Sequence, residues 1–204
     1  MAQETTDYQV RIRGEFSDPP GRGLWLIKWL LLIPHYFILV FLTFIFFVLS
    51  VVAFFAILIG GKYPREIFDF NVGVLRWTWR VGFYGYQALG TDRYPPFSLE
   101  RKDDYPADLY IDYPERLSRG LVLVKWWLLV IPHAIIVSIF QGAEHFAGLV
   151  PLLTLVSAVI LLFTGTYPRD LFKLIIGMNR WSYRVYAYTA LMRDEYPPFR
   201  LWDE

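Results

Sequence analysis

Cysteine is absent from the 204-residue chain. No disulfide, thiolate metal site, iron–sulfur cluster or cysteine nucleophile can form, and the redox compartment is left open. A surplus of either charge is also lacking: 20 Lys and Arg stand against 19 Asp and Glu, so no global field recruits nucleic acid. Missing too are the Gly-x-x-x-x-Gly-Lys phosphate loop, His-Glu-x-x-His, Gly-x-Ser-x-Gly and the dinucleotide glycine fingerprint. No familiar catalytic signature is present, and no residue is expected to be catalytic. Met1 to Asp7 lack the basic start and small-residue cleavage site of a secretory signal, so the first helix is expected to be retained.

What the chain has in excess is apolar surface. Hydrophobic residues make up 55%, more than a water-soluble domain of this length needs. The chain therefore reads as a membrane protein. It is also a repeat. Arg22-Gly23-Leu24 returns as Arg119-Gly120-Leu121, Lys28-Trp29 as Lys125-Trp126, and Ile33-Pro34-His35 as Ile131-Pro132-His133. Tyr63-Pro64-Arg65 returns as Tyr167-Pro168-Arg169, and Arg76-Trp77 with Arg80-Val81 as Arg180-Trp181 with Arg184-Val185. Tyr94-Pro95-Pro96-Phe97 is answered by Tyr196-Pro197-Pro198-Phe199. The halves divide as 1–105 and 106–204.

The first apolar run, Leu24 to Ile59, would form a helix of roughly 54 Å, against about 30 Å of hydrocarbon. The second is interrupted by Gln141-Gly142-Ala143-Glu144-His145, which suits a water-exposed turn. Each half is therefore expected to be a transmembrane hairpin, with spans at 24–42 and 44–59, then 121–140 and 148–163, and the first turn near Thr43. Two crossings per half return the chain to its starting side, which makes the repeats parallel about the membrane normal. No Lys or Arg lies between Trp29 and Gly61 or between Trp126 and Tyr167, so the positive-inside rule places both termini in the cytoplasm.

After each hairpin, 64–89 and 168–191 read as amphipathic helices. Arg65, Asp69, Gly73, Arg76 and Arg80 share one stripe, as do Arg169, Lys173, Gly177, Arg180 and Arg184. These are expected to lie in the cytoplasmic interface. Gln9 to Arg13 and Leu109 to Asp112 alternate like strands, so a small cytoplasmic β-sheet is possible on an otherwise all-α membrane protein. The Tyr-Pro-Arg, Arg-Trp-x-x-Arg-Val and Tyr-Pro-Pro-Phe series after an Ile-Pro-His helix resembles the bacterial membrane family catalogued as domain of unknown function 4389. That resemblance covers both halves and implies a multi-pass protein of the bacterial inner membrane, with no activity attached.

Chemistry suggests three readings. Arg76, Arg80, Arg180 and Arg184, beside indole and phenol rings, suit anionic lipid headgroups, and Lys28 and Lys125 sit where their stems snorkel to the same surface. With no predicted cofactor, this favours an accessory or scaffold protein that binds lipid and other membrane proteins, or further copies of itself. The second reading takes His35 and His133, at matching positions within the apolar helices, as ligands of haem b or a metal in an electron-transfer module. Its bland counterpart is that each histidine compensates a carbonyl freed by the preceding proline. The third is a lipid-handling enzyme or transporter, which needs an acyl-chain groove between the halves. The spans hold few polar groups beyond Thr43, Ser50, Ser138, Thr154 and Ser157, which disfavours solute conduction.

Overall fold

The computed structural model describes residues 8–16 and 20–202, so the polar start read from Met1 to Asp7 lies outside them. The first copy comprises strand β1 (Val10–Gly14) and helices α1 (Trp25–Leu31), α2 (Ile33–Gly60) and α3 (Arg65–Tyr84). The second comprises strand β2 (Ala107–Ile111), helix α4 (Leu121–Val124) running into a π-helical turn (Lys125–Leu129), and helices α5 (Ile131–Gln141), α6 (Leu149–Thr164) and α7 (Arg169–Thr189). A two-residue strand pair, β3 (Gly142–Ala143) with β4 (Phe146–Ala147), lies between α5 and α6.

Proline and glycine set the breaks. Pro34 and Pro132 have no amide hydrogen, so the helical run is interrupted at Leu32 and Val130, and each proline sits in the first turn of the next helix. In the second copy this break bends the chain by 45°. Gly61 and Gly165 end α2 and α6 in the left-handed region, at φ 69° and 73°, which an L side chain resists. The Tyr-Pro that follows restarts the chain: Pro64 and Pro168 are extended and lead into α3 and α7.

The expected small sheet is present. β1 pairs with β2 in antiparallel register, Ile12 opposite Leu109. Ile12 and Leu109 are equivalent residues, related by the offset that takes Arg22 to Arg119, so a pseudo-two-fold axis passes between them. β1 packs on α7 and β2 on α3, and each strand therefore covers the core helix of the other copy. The same axis relates Trp79 to Tyr183, whose rings lie 5.4 Å apart, while the Asn179 amide donates to the Gln87 carbonyl at 2.9 Å. α3 and α7 thus run antiparallel across the axis. A single apolar cluster spans both copies, from Ala53 and Ile57 through Trp79 and Phe83 to Phe172, Ile175 and Ala158.

Two expectations are corrected. α2 runs unbroken from Ile33 to Gly60, with no turn near Thr43, and among the described residues it alone is one helix long and apolar enough to cross a membrane. The bent pair Leu121–Leu129 and Ile131–Gln141 would make a second. In the second copy the polar interruption is a loop pushed out of the equivalent helix rather than a reversal. A Cβ built on Gly148 would collide with the backbone of Gln141, so the chain leaves and re-enters at touching points. α5 and α6 both pack along α7. The second correction concerns 64–89 and 168–191. They form helices, α3 and α7, but Phe68, Trp79, Phe83, Phe172, Ile175 and Tyr183 are buried along them, because the sheet covers the face opposite α2 and α6.

Removing residues 142–147 joins Gln141 to Gly148 as Thr43 joins Phe44 in α2. This deletion variant is expected to keep its helical circular dichroism and its elution position in detergent, with stability changed by no more than about 1 kcal/mol. Aggregation of that variant would show that the loop organises the fold.

Candidate functional site

Each copy closes its helix break with the same set of side chains. The phenol of Tyr94 donates to the Leu31 carbonyl at 2.9 Å, and that of Tyr196 to the Leu129 carbonyl at 3.1 Å. These carbonyls lie one turn before Pro34 and Pro132. The tyrosine of Tyr-Pro-Pro-Phe thus closes the break at the last carbonyl before it, while the carbonyls four residues before the prolines, Leu30 and Leu128, accept from the amides of Leu32 and Val130. Both imidazoles, His35 and His133, are fully buried. Each Nδ1 accepts a hydrogen bond from an indole, Trp77 Nε1 or Trp181 Nε1, at 3.0 Å. Phe97 stacks on His35 with centroids 3.9 Å apart, and Phe199 on His133 at 4.3 Å.

This arrangement does not fit haem or metal ligation. An indole only donates, so it holds Nδ1 as an acceptor and leaves the imidazole proton on Nε2. The nitrogen free to ligate then has no lone pair. Each histidine is enclosed by rings of its own copy, and among the described residues no contact joins the two.

The arginines expected at lipid headgroups are also internal. Arg80 is fully buried, and its guanidinium donates to the carbonyls of Ser98 and Glu100 and to Asp108. Arg76 donates to the Leu99 carbonyl at 2.9 Å and pairs with Asp108 at 2.9 Å. Burial pulls both guanidinium groups below their ordinary pKa, and the Asp108 carboxylate opposes that pull. The second copy repeats the backbone bonds: Arg180 donates to the Leu201 carbonyl and Arg184 to that of Arg200. These four side chains clamp the segment after Tyr-Pro-Pro-Phe onto α3 and α7. That segment lies so close that a Cβ on Gly73 would sit 2.8 Å from Leu99 Cβ, and one on Gly177 3.1 Å from Leu201 Cβ. The acidic anchor is not duplicated, because Arg11 stands at the strand position equivalent to Asp108.

Lys28 and Lys125 do not snorkel. Both are fully buried. Lys28 pairs with Asp92 at 2.9 Å, donates to the Thr91 carbonyl and lies over the Tyr84 ring. Lys125 pairs with Asp194 at 2.7 Å, donates to the Arg193 carbonyl and lies over Tyr188. The lysines tie the start of each apolar helix to the loop before Tyr-Pro-Pro-Phe.

What remains open to a ligand is the opposite layer. α1, α2, α4, α5 and α6 expose a broad apolar surface, with Phe37 at 67%, Phe44 at 71% and Phe163 at 79% relative exposure. A cleft of about 350 Å³ opens in it between α2 and the end of α7, lined by Phe47, Val51, Phe54, Phe55, Trp126 and Leu191. The cleft draws on both halves, and none of the four arginines lines it. At the rim, a hollow of about 370 Å³ is lined by Lys62, Arg116 and Arg119, where α2 ends against the start of α4. All three cations are exposed. In the other copy, Arg22 lies over Gly165 at the end of α6, as Arg119 lies over Gly61. The rim was legible in the sequence as cations flanking the apolar runs, but it draws on both copies and only the fold assembles it.

Two substitutions test the internal roles by unfolding in detergent, followed by circular dichroism. Trp77→Phe leaves a buried imidazole nitrogen without its donor and is expected to cost about 1–3 kcal/mol. Asp108→Asn takes the counter-charge from buried Arg80 and partly buried Arg76, which keep only their carbonyl partners, and is expected to cost about 3 kcal/mol, whereas Asp69→Asn, which breaks an exposed pair with Arg65, costs about 0.5 kcal/mol or less.

No curated protein and no solved structure matches the chain. A family described as Domain of unknown function (DUF4389) matches residues 22–98 and again 122–200. The two matched stretches contain the Ile-Pro-His break, the buried arginines and the Tyr-Pro-Pro-Phe closure of each copy, and the chain belongs to the DUF4389 family as two tandem copies of its domain.

Proposed function

We propose that this chain is a membrane-embedded accessory protein whose apolar layer binds lipid, while its sheet and loops form a docking surface on the cytoplasmic side of the bacterial inner membrane. The exposed apolar layer carries this reading. Side chains such as Phe37, Val40, Phe44, Phe47 and Ile59 are more than half exposed along one helix, a patch far larger than a water-soluble monomer tolerates. Trp29, Trp126 and Trp127 are about half exposed on the same layer and add indoles suited to the level of the headgroups. The cations Lys62, Arg116 and Arg119 flank it and suit lipid phosphate.

The buried ionisable groups favour a structural over a catalytic role. Lys28, Lys125, Arg76, Arg80 and Asp108 each hold backbone carbonyls or one another in place. None is left poised to react with a substrate.

Cell-free synthesis in the presence of liposomes, followed by flotation, tests the reading. The wild-type chain is expected to float with liposomes, and more completely when they contain anionic lipid. The combined variant Lys62→Gln, Arg116→Gln, Arg119→Gln is expected to lose that anionic preference, by about 1 kcal/mol for each charge removed at low salt. A wild-type chain that stays dissolved at the bottom of the gradient would refute lipid binding.

A further inference from the structure

We infer that the apolar helices lie in the plane of the membrane, sunk into one leaflet, rather than crossing it. This inference rests on the lipid-binding reading above and specifies how the lipid face is used. The pseudo-two-fold axis that passes between Ile12 and Leu109 relates antiparallel helices, as the Trp79–Tyr183 and Gln87–Asn179 contacts show. Such an axis is perpendicular to α3 and α7, and to the α2 and α6 helices packed on them. With the axis along the bilayer normal, the apolar layer faces the lipid and the polar sheet faces water. With the helices along the normal instead, the sheet would lie beside the hydrocarbon and carry the half-exposed pair Arg11 and Asp112 to mid-depth. Charges there are strongly disfavoured.

Three further observations agree. First, polar groups flank both ends of α2. Asp92 and exposed Arg93 lie near its start, while Lys62, Arg116 and Arg119 gather at its end. Both ends therefore suit one headgroup level. Second, the loop with exposed Glu144 and His145 leaves the α5–α6 run at the point equivalent to the middle of α2. In a crossing helix that loop would sit at the centre of the bilayer. In a helix lying flat, it extends sideways to the interface. Third, α2 is about 42 Å long at the ordinary rise per residue, longer than the hydrocarbon is thick but unconstrained in the plane. A helix with its side chains is about 10–12 Å across, which fits within one leaflet. Lipid then covers α2 on three sides, which accounts for exposure well beyond a single stripe. The rim cations meet lipid phosphate at the same level.

Because the chain has no cysteine, single substitutions report position cleanly. Lys62→Cys, Arg93→Cys, Asp103→Cys and His145→Cys, each in the full chain expressed in bacterial cells, would be exposed to a membrane-impermeant maleimide in spheroplasts and in inverted membrane vesicles. All four are expected to react from the same side, in the inverted vesicles only. Reaction of positions 62 and 93 from opposite sides would indicate a crossing α2 and overturn the inference. Reaction of position 145 from the side opposite to position 103 would indicate a transmembrane hairpin and overturn it equally. A cysteine at 145 that reacts only after detergent is added would place the loop in hydrocarbon, with the same consequence. Release of the protein from membranes by alkaline carbonate would instead undermine the lipid-binding reading itself, and is recognisable without any labelling.

Discussion

The exchange of strands between the two copies is the constraint on which the rest of the structure depends. A two-stranded ribbon is marginal by itself and needs a helical layer to pack on. Ile12 and Leu109 meet at the symmetry axis, with β1 laid over α7 and β2 over α3. Each copy thus completes the core of the other, and separating them would uncover Trp79, Phe83, Phe172 and Ile176 at once. Asp108 reinforces the arrangement on one side by drawing Arg76 and Arg80 onto β2.

The recurring motifs turn out to be one mechanical device. A proline interrupts the apolar helix, a tyrosine from the far end of the copy bonds the last carbonyl before the break, and the phenylalanine directly after the two prolines stacks on the histidine that follows the break. The tryptophan of α3 holds that histidine, and the arginines on the same helix hold the backbone just after the phenylalanine. A buried lysine pins the helix start to the same loop. Buried polar groups of this kind are costly unless bonded, and the indoles, lysines and guanidinium groups here each reach a ring nitrogen, carbonyl or carboxylate, while Nε2 of both histidines is left without a partner among the described residues. The device locks the geometry of each copy and leaves little chemistry exposed within it.

The molecule is consequently divided by physical character. One layer is apolar on nearly every side not packed against α3 and α7, the middle layer carries the motifs, and the last layer presents strands and charged loops. Such a layered body has a direction, and under the proposed lipid binding the hydrophobic effect would suffice to orient it with the apolar layer toward lipid. The cations at the ends of α2 and α6 add an electrostatic preference at the border between layers.

Composition and repetition were enough to establish the duplication, the family, the amphipathic helices α3 and α7, and the strand pair, because these depend on local periodicity and on residues that recur in order. The histidines, lysines and arginines were rightly singled out as unusual positions, but their partners were not legible. Trp77, Tyr94, Asp92 and Asp108 lie tens of residues away along the chain, and burial was decided by the opposing sheet. Hydropathy measures how apolar a segment is and carries no direction, so it read an overlong run as two crossings. Whether such a run folds back on itself was decided only by tertiary structure, where α2 continues unbroken along α3 and α5 and α6 both pack along α7, because the contacts of a helix with its neighbours are not written in its own composition.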